Sequence, residues 1–200
     1  MKALVASFTS LALLAFPAVS TERTTLYERG IPHFEAPVAS GVSISLHIRS
    51  GDIRIVGSDS QKLTVDISGK NKDKIEDLRY ELTSRSGRTE LRVSGGPHND
   101  LTIEVHIPRN SDLYARIPAG EVTIEKVVGS KDVELHAGDL TIEVGNPADY
   151  ARADVSVLSG DLSASPFGEF HSGLFRSFSK SGPGKYTLRA HIAAGDLTLK

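Results

Sequence analysis

Five acidic residues each follow a glycine and precede an aliphatic residue, in a four-residue phrase that returns along the chain. The phrases begin at Ser50, Ala119, Ala137, Ser159 and Ala194, and their acids are Asp52, Glu121, Asp139, Asp161 and Asp196. If the turns that carry these phrases stack in register, the carboxylates form a column with the spacing of neighbouring strands, about 4.8 Å. Carboxylates that close repel one another and attract a cation, and calcium, which takes several oxygen ligands, is the natural candidate.

The same acids have a simpler interpretation as parts of the turn. A glycine supplies the positive φ of a tight corner, and an aspartate accepts hydrogen bonds from the backbone N–H groups of its own turn. Glu121 lacks that short reach and still occupies the position, which indicates that an exposed acid is generally tolerated there. The glycine-rich nonapeptide of calcium-binding β-rolls is absent from the sequence. We therefore predict turn acids and assign no metal ligand, although the sequence leaves calcium binding open.

Four glutamates keep an enzymatic alternative open. A polysaccharide lyase or hydrolase built on a parallel β-helix needs paired carboxylates on one exposed face. The outward phase of the predicted strands supplies Glu104, Glu125, Glu134 and Glu143. Any solvated sheet face should be polar, however, and Thr, Ser, Lys and His are mixed among these acids. We predict a protein without catalytic residues, with a carbohydrate-active β-helix enzyme as the alternative.

The histidines show no catalytic or zinc-binding pattern. Four of the seven histidines lie in the outward phase between inward aliphatic residues, and no pair has the close spacing of a zinc site; these four are His47, His106, His136 and His191. A Gly-x-Ser-x-Gly nucleophile elbow and a glycine-rich phosphate loop are also absent from the sequence. We predict no cofactor.

Alternating apolar and polar residues run through most of the chain, which is the period of half-buried β-strands. The clearest strand covers Leu101 to Ile107 and ends at Pro108, and the residues from Leu78 to Val93 predict an antiparallel hairpin. Gly120 and Gly138 lie 18 residues apart, which suits two short strands and two turns per coil. We predict an all-β fold, a β-solenoid or single-stranded β-helix-like stack of short strands, with a β-sandwich as the alternative.

An insert between the last two repeat phrases carries four of the seven phenylalanines, Phe167, Phe170, Phe175 and Phe178. Such a segment either folds back over the open end of the stack or presents an apolar patch. Terminal coils need caps, because an exposed strand edge invites aggregation. We favour capping as the role of Phe167-Phe178, with a partner-binding patch as the alternative.

The first twenty residues have the pattern of a secretory signal peptide. Met1-Lys2 is a basic start, Ala3 to Phe16 is apolar but too short to span a bilayer, and Ala18-Val19-Ser20 places small residues at the cleavage positions. We predict a signal peptide over 1–20 and export to a periplasm, a cell surface or the extracellular space. Stable membrane insertion is not expected after cleavage.

The rest of the chain is predicted to form an N-terminal extension over 21–40 and one domain over 41–200. The chain has no cysteine and therefore no disulfide and no cysteine-linked lipid anchor. A secreted domain of this size buries enough surface to fold without disulfides. The formal net charge of −2, together with the lack of a basic cluster along the sequence, argues against nucleic-acid binding.

One ordered series of features resembles a known family. The stretch Leu101-Thr102-Ile103-Glu104-Val105-His106-Ile107-Pro108, the strand over 113–117 and the close phrases at Gly120 and Gly138 resemble the bacterial family of exported putative adhesins, also called toastrack domains. The resemblance covers residues 41–200 and departs from the pattern at Glu121, where the family has Asp.

This resemblance implies a mostly parallel β-solenoid outside the cytoplasm, with no catalytic site assigned to the family as a whole. The role that it implies by analogy is a non-enzymatic protein of the cell envelope or extracellular space. Its expected partner is a surface polymer or another envelope protein. A purely structural envelope component is the remaining possibility.

Overall fold

The computed structural model describes residues 23–70, 74–97 and 100–200, so the predicted signal peptide lies outside the described residues. Within them no helix is long and apolar enough to cross a membrane. The strands are β1 Thr24–Arg29, β2 His33–Pro37, β3 Ser43–Ile48, β4 Gly51–Ser58, β5 Lys62–Ser68, β6 Arg79–Arg85, β7 Arg88–Ser94, β8 Thr102–Pro108, β9 Asp112–Glu125, β10 Lys131–Ala137, β11 Leu140–Ile142, β12 Tyr150–Ser159, β13 Leu162–Ala164, β14 Glu169–His171, β15 Leu174–Ser181, β16 Tyr186–Ala194 and β17 Leu197–Leu199.

The strands pair into two sheets. Sheet A has the order β1-β6-β7-β3-β9-β10-β16-β12-β15. Sheet B has the order β2-β5-β8-β4-β9-β11-β17-β13-β14. The two orders match because each strand of sheet A is connected along the chain to one strand of sheet B. We call such a connected pair a level of the stack; β9 forms a level by itself because it passes through both sheets. The glycine phrases form the corner at which the chain turns from sheet A into sheet B.

The centre of each sheet is parallel and its ends are antiparallel. In sheet A the strands from β7 to β12 run parallel, whereas β6 and β15 run antiparallel to their inner neighbours. The predicted hairpin between Leu78 and Val93 is confirmed as the pair β6 and β7. The residues predicted as an N-terminal extension provide β1 and β2, which form the first level of the stack.

The all-β prediction is confirmed, but the levels do not follow the order of the chain. The level formed by β16 and β17 lies between the β10 and β12 levels, although it comes last in the sequence. The physical reason is the insert, whose strand β15 occupies the outer edge of β12. Only the inner edge of β12 remains to pair with β16. A solenoid whose coils stack in chain order does not have this arrangement.

Both sheets bury one face in a shared core. On β3, for example, Ile44, Leu46 and Ile48 are buried while the residues between them are half-buried. The inward aliphatic residues of the two sheets belong to one cluster. Each fully buried aliphatic side chain contributes about 1.5–3 kcal/mol, so this alternation is the main source of stability for the stack.

Candidate functional site

The glycines of the repeat phrases form a column at the corner, where neighbouring backbones come unusually close. A Cβ added to Gly120 would lie 1.8 Å from the carbonyl oxygen of Gly51, and one added to Gly138 would lie 2.0 Å from that of Gly120. A Cβ added to Gly195 would lie 1.9 Å from the carbonyl oxygen of Gly138, and one added to Gly160 would lie 2.0 Å from that of Gly195. Four of these glycines, from Gly120 onward, have φ between +120° and +140°. Glycine is therefore required at the corner by both its backbone angle and its lack of a side chain.

The five phrase acids lie in one row beside this column, on sheet B. In spatial order this acid row is Asp52, Glu121, Asp139, Asp196 and Asp161. All five side chains are exposed. The stacking in register that the sequence analysis considered is therefore present.

Two aspartates of the acid row accept hydrogen bonds from the next level of the stack. The backbone N–H of Asp196 donates to Oδ1 of Asp139 at 3.0 Å, and the N–H of Asp161 donates to Oδ1 of Asp196 at 2.8 Å. From the sequence we expected turn acids to accept from their own turn. These two accept from the neighbouring turn instead, because stacked corners bring the next backbone N–H within reach. In the part of the chain that the structure describes, no group of three or more His, Cys, Asp or Glu residues is arranged to hold a metal ion.

The four glutamates of the enzymatic alternative are divided between the two sheets, and each is bound by a donor. Glu104 and Glu125 lie on sheet B and Glu143 directly follows its strand β11, whereas Glu134 lies on sheet A beside Arg116 at 3.0 Å. Glu104 lies 3.0 Å from His106, and Glu143 accepts the N–H of Lys126 at 3.1 Å.

Glu125 is the most strongly bound of these acids. Arg54 donates to Glu125 at 2.9 Å and the ammonium of Lys200 lies 3.4 Å away. The hydrogen bond from Arg54 is the largest cause of a lowered pKa of the Glu125 carboxyl. A general acid of a glycosidase requires the opposite, a raised pKa.

The outer face of sheet A carries a second row beside the same corner, here called the arginine row. Register places Arg29 opposite Arg79 and Arg79 opposite Ser94. The row continues through Arg49, whose backbone N–H donates a hydrogen bond to the carbonyl oxygen of Val93. It then continues through Pro118 and His136. The sequence positions are far apart, so only strand pairing brings these cations together.

Two open hollows cover the arginine row and join into one groove. The first has a volume of about 490 Å³ and lies over the β7, β3, β9 and β10 levels. The second, of about 500 Å³, lies over β1, β6 and β7. Arg92 and Ser94 line both hollows, which makes the groove continuous across these strands. All six members of the arginine row line it.

The arginines of the groove differ in their partners. Arg49 donates from Nε to the carbonyl oxygen of Ser50 at 3.2 Å and from Nη1 to that of Gly95, and burial lowers its pKa. Arg116 instead lies 2.7 Å from Asp132 and also binds Glu134, so its charge is balanced. Arg49 is therefore held in place by neutral groups, and no acid of the described residues 23–70, 74–97 and 100–200 forms an ion pair with it.

Two of the predicted surface histidines line the groove and two do not. His47, 3.8 Å from Glu90, and His136 line the hollow over the β7, β3, β9 and β10 levels. His106 lies on sheet B, and Nδ1 of His191 is hydrogen-bonded to the hydroxyl of Ser156 on sheet A. The structure does not bring the four together.

A buried lysine lies at the other end of β10, away from the groove. The ammonium of Lys131 donates to the hydroxyl of Tyr150 at 2.6 Å, and that hydroxyl donates to the carbonyl oxygen of Val144 at 3.1 Å. Lys131 is only 1% exposed, and its burial lowers its pKa to about 8. The sequence contained a signal for this site, since Lys131 occupies the apolar phase of its strand with Val133 and Leu135.

The phenylalanine insert packs two of its rings at the end of the stack and leaves the other two exposed. Phe167 is buried and its ring lies 5.7 Å from that of Phe178, which packs against the core and closes the end of the stack. Phe170 and Phe175 are 70% and 77% exposed. The insert thus caps the last level with one pair of rings and exposes the other pair.

Comparison with known proteins finds similar solved structures but no matching family model. No protein-family model matches the chain, and no curated protein matches it significantly. Among solved structures, a "putative cell adhesion protein" from Clostridium sporogenes is 12% identical with a TM-score of 0.49, covering 84% of this chain and 98% of that one. A "putative adhesin" from Bacteroides fragilis is 10% identical with a TM-score of 0.27, covering 90% and 99%.

Both descriptions agree with the adhesin-like designation inferred from the sequence. At these identities and TM-scores, however, neither likeness carries an argument about function. Membership of the toastrack family stays a prediction.

Proposed function

We propose that the chain is a non-enzymatic, adhesin-like binding module, exported to the cell envelope or the extracellular space, that binds a surface polymer or envelope protein through the outer face of sheet A. The observation that carries this proposal is the continuous groove over the β1, β6, β7, β3, β9 and β10 levels. The pattern of a signal peptide at residues 1–20 supports export.

The shape of the groove favours an extended ligand. Five strand spacings of about 4.8 Å give a length of about 24 Å. Sites for small molecules enclose most of their ligand, whereas both hollows of this groove are open to solvent along the outer face of sheet A. A segment of a linear polymer fits such a face, because it makes repeated contacts across the strands.

Co-sedimentation of the purified protein with insoluble polysaccharides and with envelope fragments tests this function. Two charge reversals on opposite faces are compared, Arg92→Glu in the groove and Arg54→Glu on sheet B. Saturable retention that Arg92→Glu abolishes and Arg54→Glu preserves supports binding through sheet A. Retention on none of the materials contradicts the proposal and favours the purely structural role.

The alternative of a polysaccharide lyase or hydrolase has its own readout. Release of new reducing ends from the same polysaccharides is measured with the wild-type protein and with Glu125→Gln and Glu134→Gln. We expect no release. Product release that either substitution abolishes would establish the enzymatic alternative.

A further inference from the structure

We propose that the groove on sheet A binds a linear acidic polysaccharide, one carboxylate per sugar, through the arginine row. This inference rests on the proposed binding function and names the ligand class. It starts from a feature that the fold itself does not explain, namely three arginines in one row, of which Arg29 and Arg79 lie directly opposite each other. No acidic residue belongs to the row, whose six members are Arg29, Arg79, Ser94, Arg49, Pro118 and His136.

Like charges directly opposite one another on neighbouring strands destabilise a sheet. Arg29 and Arg79 are such a pair. Within the part of the chain that the structure describes, Arg29 binds an acid, Asp77 at 2.6 Å, which lies outside the strands, whereas Arg79 forms no ion pair. A carboxylate bound between the two guanidinium groups removes this repulsion. Arginine is also the residue best suited to the task, because its planar fork binds both oxygens of a carboxylate.

The spacing of the arginines favours a sparse polyanion over a dense one. Arg29 and Arg79 are one strand spacing apart, about 4.8 Å, and Arg79 and Arg49 are two spacings apart, about 9.6 Å, because Ser94 lies between them. Duplex nucleic acid carries one charge for about every 1.7 Å, and the chain as a whole is negatively charged, with a formal net charge of −2. A polymer with one charge per sugar therefore suits these positions better than a nucleic acid does.

The neighbouring row of sheet A complements the hydroxyl groups of a sugar. It places Glu81, Arg92, His47, Arg116 and Glu134 on successive strands, with acids and bases mixed. Carboxylates accept hydrogen bonds from hydroxyl groups and guanidinium groups donate to them. These acids also repel a polymer of high charge density. The two rows together therefore select a polymer that is acidic but mostly hydroxylated.

Arg49 is the anchor of the row because its position is fixed before any ligand arrives. Its guanidinium is bonded to the carbonyl oxygens of Ser50 and Gly95, so little side-chain freedom is lost on binding. A carboxylate in the groove provides the opposite charge that these neutral partners do not.

Affinity electrophoresis in gels that contain polygalacturonate tests the inference, with the fully methyl-esterified polymer as the matched neutral ligand. We expect retardation by polygalacturonate, falling as salt is raised, and little retardation by the ester. Arg79→Gln should weaken the apparent affinity about tenfold, the usual loss for one charge-assisted hydrogen bond. Arg49→Gln provides the same test at the anchor, with circular dichroism to establish folding.

Arg88→Gln is the matched control. Arg88 lies on β7 in the same outward phase as Arg92 but outside the groove, so its loss should leave the affinity unchanged. Equal losses in Arg88→Gln and Arg79→Gln would overturn the inference, since attraction would then be nonspecific. Tighter retention by polyphosphate or single-stranded DNA would also overturn it.

Failure of this inference is distinguishable from failure of the proposed function. Binding to the methyl ester or to another neutral polysaccharide, with none to polygalacturonate, contradicts the acidic ligand and preserves the binding module. Absence of binding to acidic and neutral polymers and to envelope fragments contradicts both.

Discussion

The acid row and the arginine row lie on opposite sides of the same glycine corner, and their side chains have different kinds of partner. Two aspartates of the acid row accept backbone N–H groups from the next level, as Asp139 does from Asp196 at 3.0 Å. The arginine row also makes local hydrogen bonds, such as those of Arg49 to backbone carbonyl oxygens, but it places Arg29 directly opposite Arg79. The repeated acids therefore link successive levels of the stack, whereas the unrepeated row keeps like charges opposite each other and is the better candidate for binding.

The largest expected effect concerns the corner that both rows share. Gly138→Ala should destabilise the protein by at least about 3 kcal/mol or prevent folding, because the new Cβ would lie 2.0 Å from the carbonyl oxygen of Gly120 and φ is +120°. Gly145→Ala is the control, since Gly145 has φ +75° but no atom within 4 Å of the added Cβ. Its expected cost is about 1 kcal/mol. Urea denaturation measures both, and equal costs would refute the close approach of the corners.

The buried ammonium of Lys131, unlike the exposed side chains of the two rows, lowers the stability of the folded protein when it is charged. The pKa of Lys131 is about 8 in the folded protein, against an ordinary value of 10.5. Between these values the unfolded chain binds more protons, so stability rises with pH. The expected gain from pH 7 to pH 9.5 is about 2 kcal/mol, and Lys131→Met should remove it.

Denaturation at the two pH values, with Lys62→Met as the surface control, measures this effect. The upper limit of pH 9.5 keeps the opposing contribution of the tyrosines small, because burial raises the pKa of Tyr150 to about 12 while tyrosines of the unfolded chain ionise mainly above pH 9.5, near 10. If Lys131→Met kept the full gain, the lysine would not be its source.

Substitutions at Asp196 test whether the acid row serves the fold. Asp196→Ala removes the acceptor for the N–H of Asp161 and should cost about 1 kcal/mol, whereas Asp196→Asn keeps an oxygen and should stay within about 0.5 kcal/mol of wild type. Thermal unfolding with calcium or with a chelator provides the second readout. A melting temperature that rises with calcium in the wild-type protein and in neither variant would show that the acid row binds calcium.

The smallest expected effect belongs to the arginine row. Arg79→Gln should change the free energy of unfolding by no more than about 0.5 kcal/mol, or raise it slightly, since it relieves the repulsion from Arg29. If this substitution destabilised the protein as much as Asp196→Ala does, the arginine row would stabilise the fold as the acid row does, and the difference between the two rows would be refuted. The measurement is the same urea titration.

Much of the fold could be predicted from the sequence because its causes are local. The alternation of Ile44, Leu46 and Ile48 with polar residues predicts a half-buried strand, and that strand is present. The Gly-acid phrases predict turns, and the structure places them at one corner. The order of the levels was not predictable, because it depends on which edge of β12 the insert occupies.

The sequence by itself determined the all-β class, the turn positions and the division of each strand into an inward and an outward phase, since these follow from short-range periodicity. Only the tertiary structure decided which outward residues are neighbours. Arg29, Arg79 and Arg49 are separated by 20 to 50 positions in the chain and lie in one row through strand register. No basic cluster is visible along the sequence, because strand pairing joins residues across the chain and sequence order does not record it.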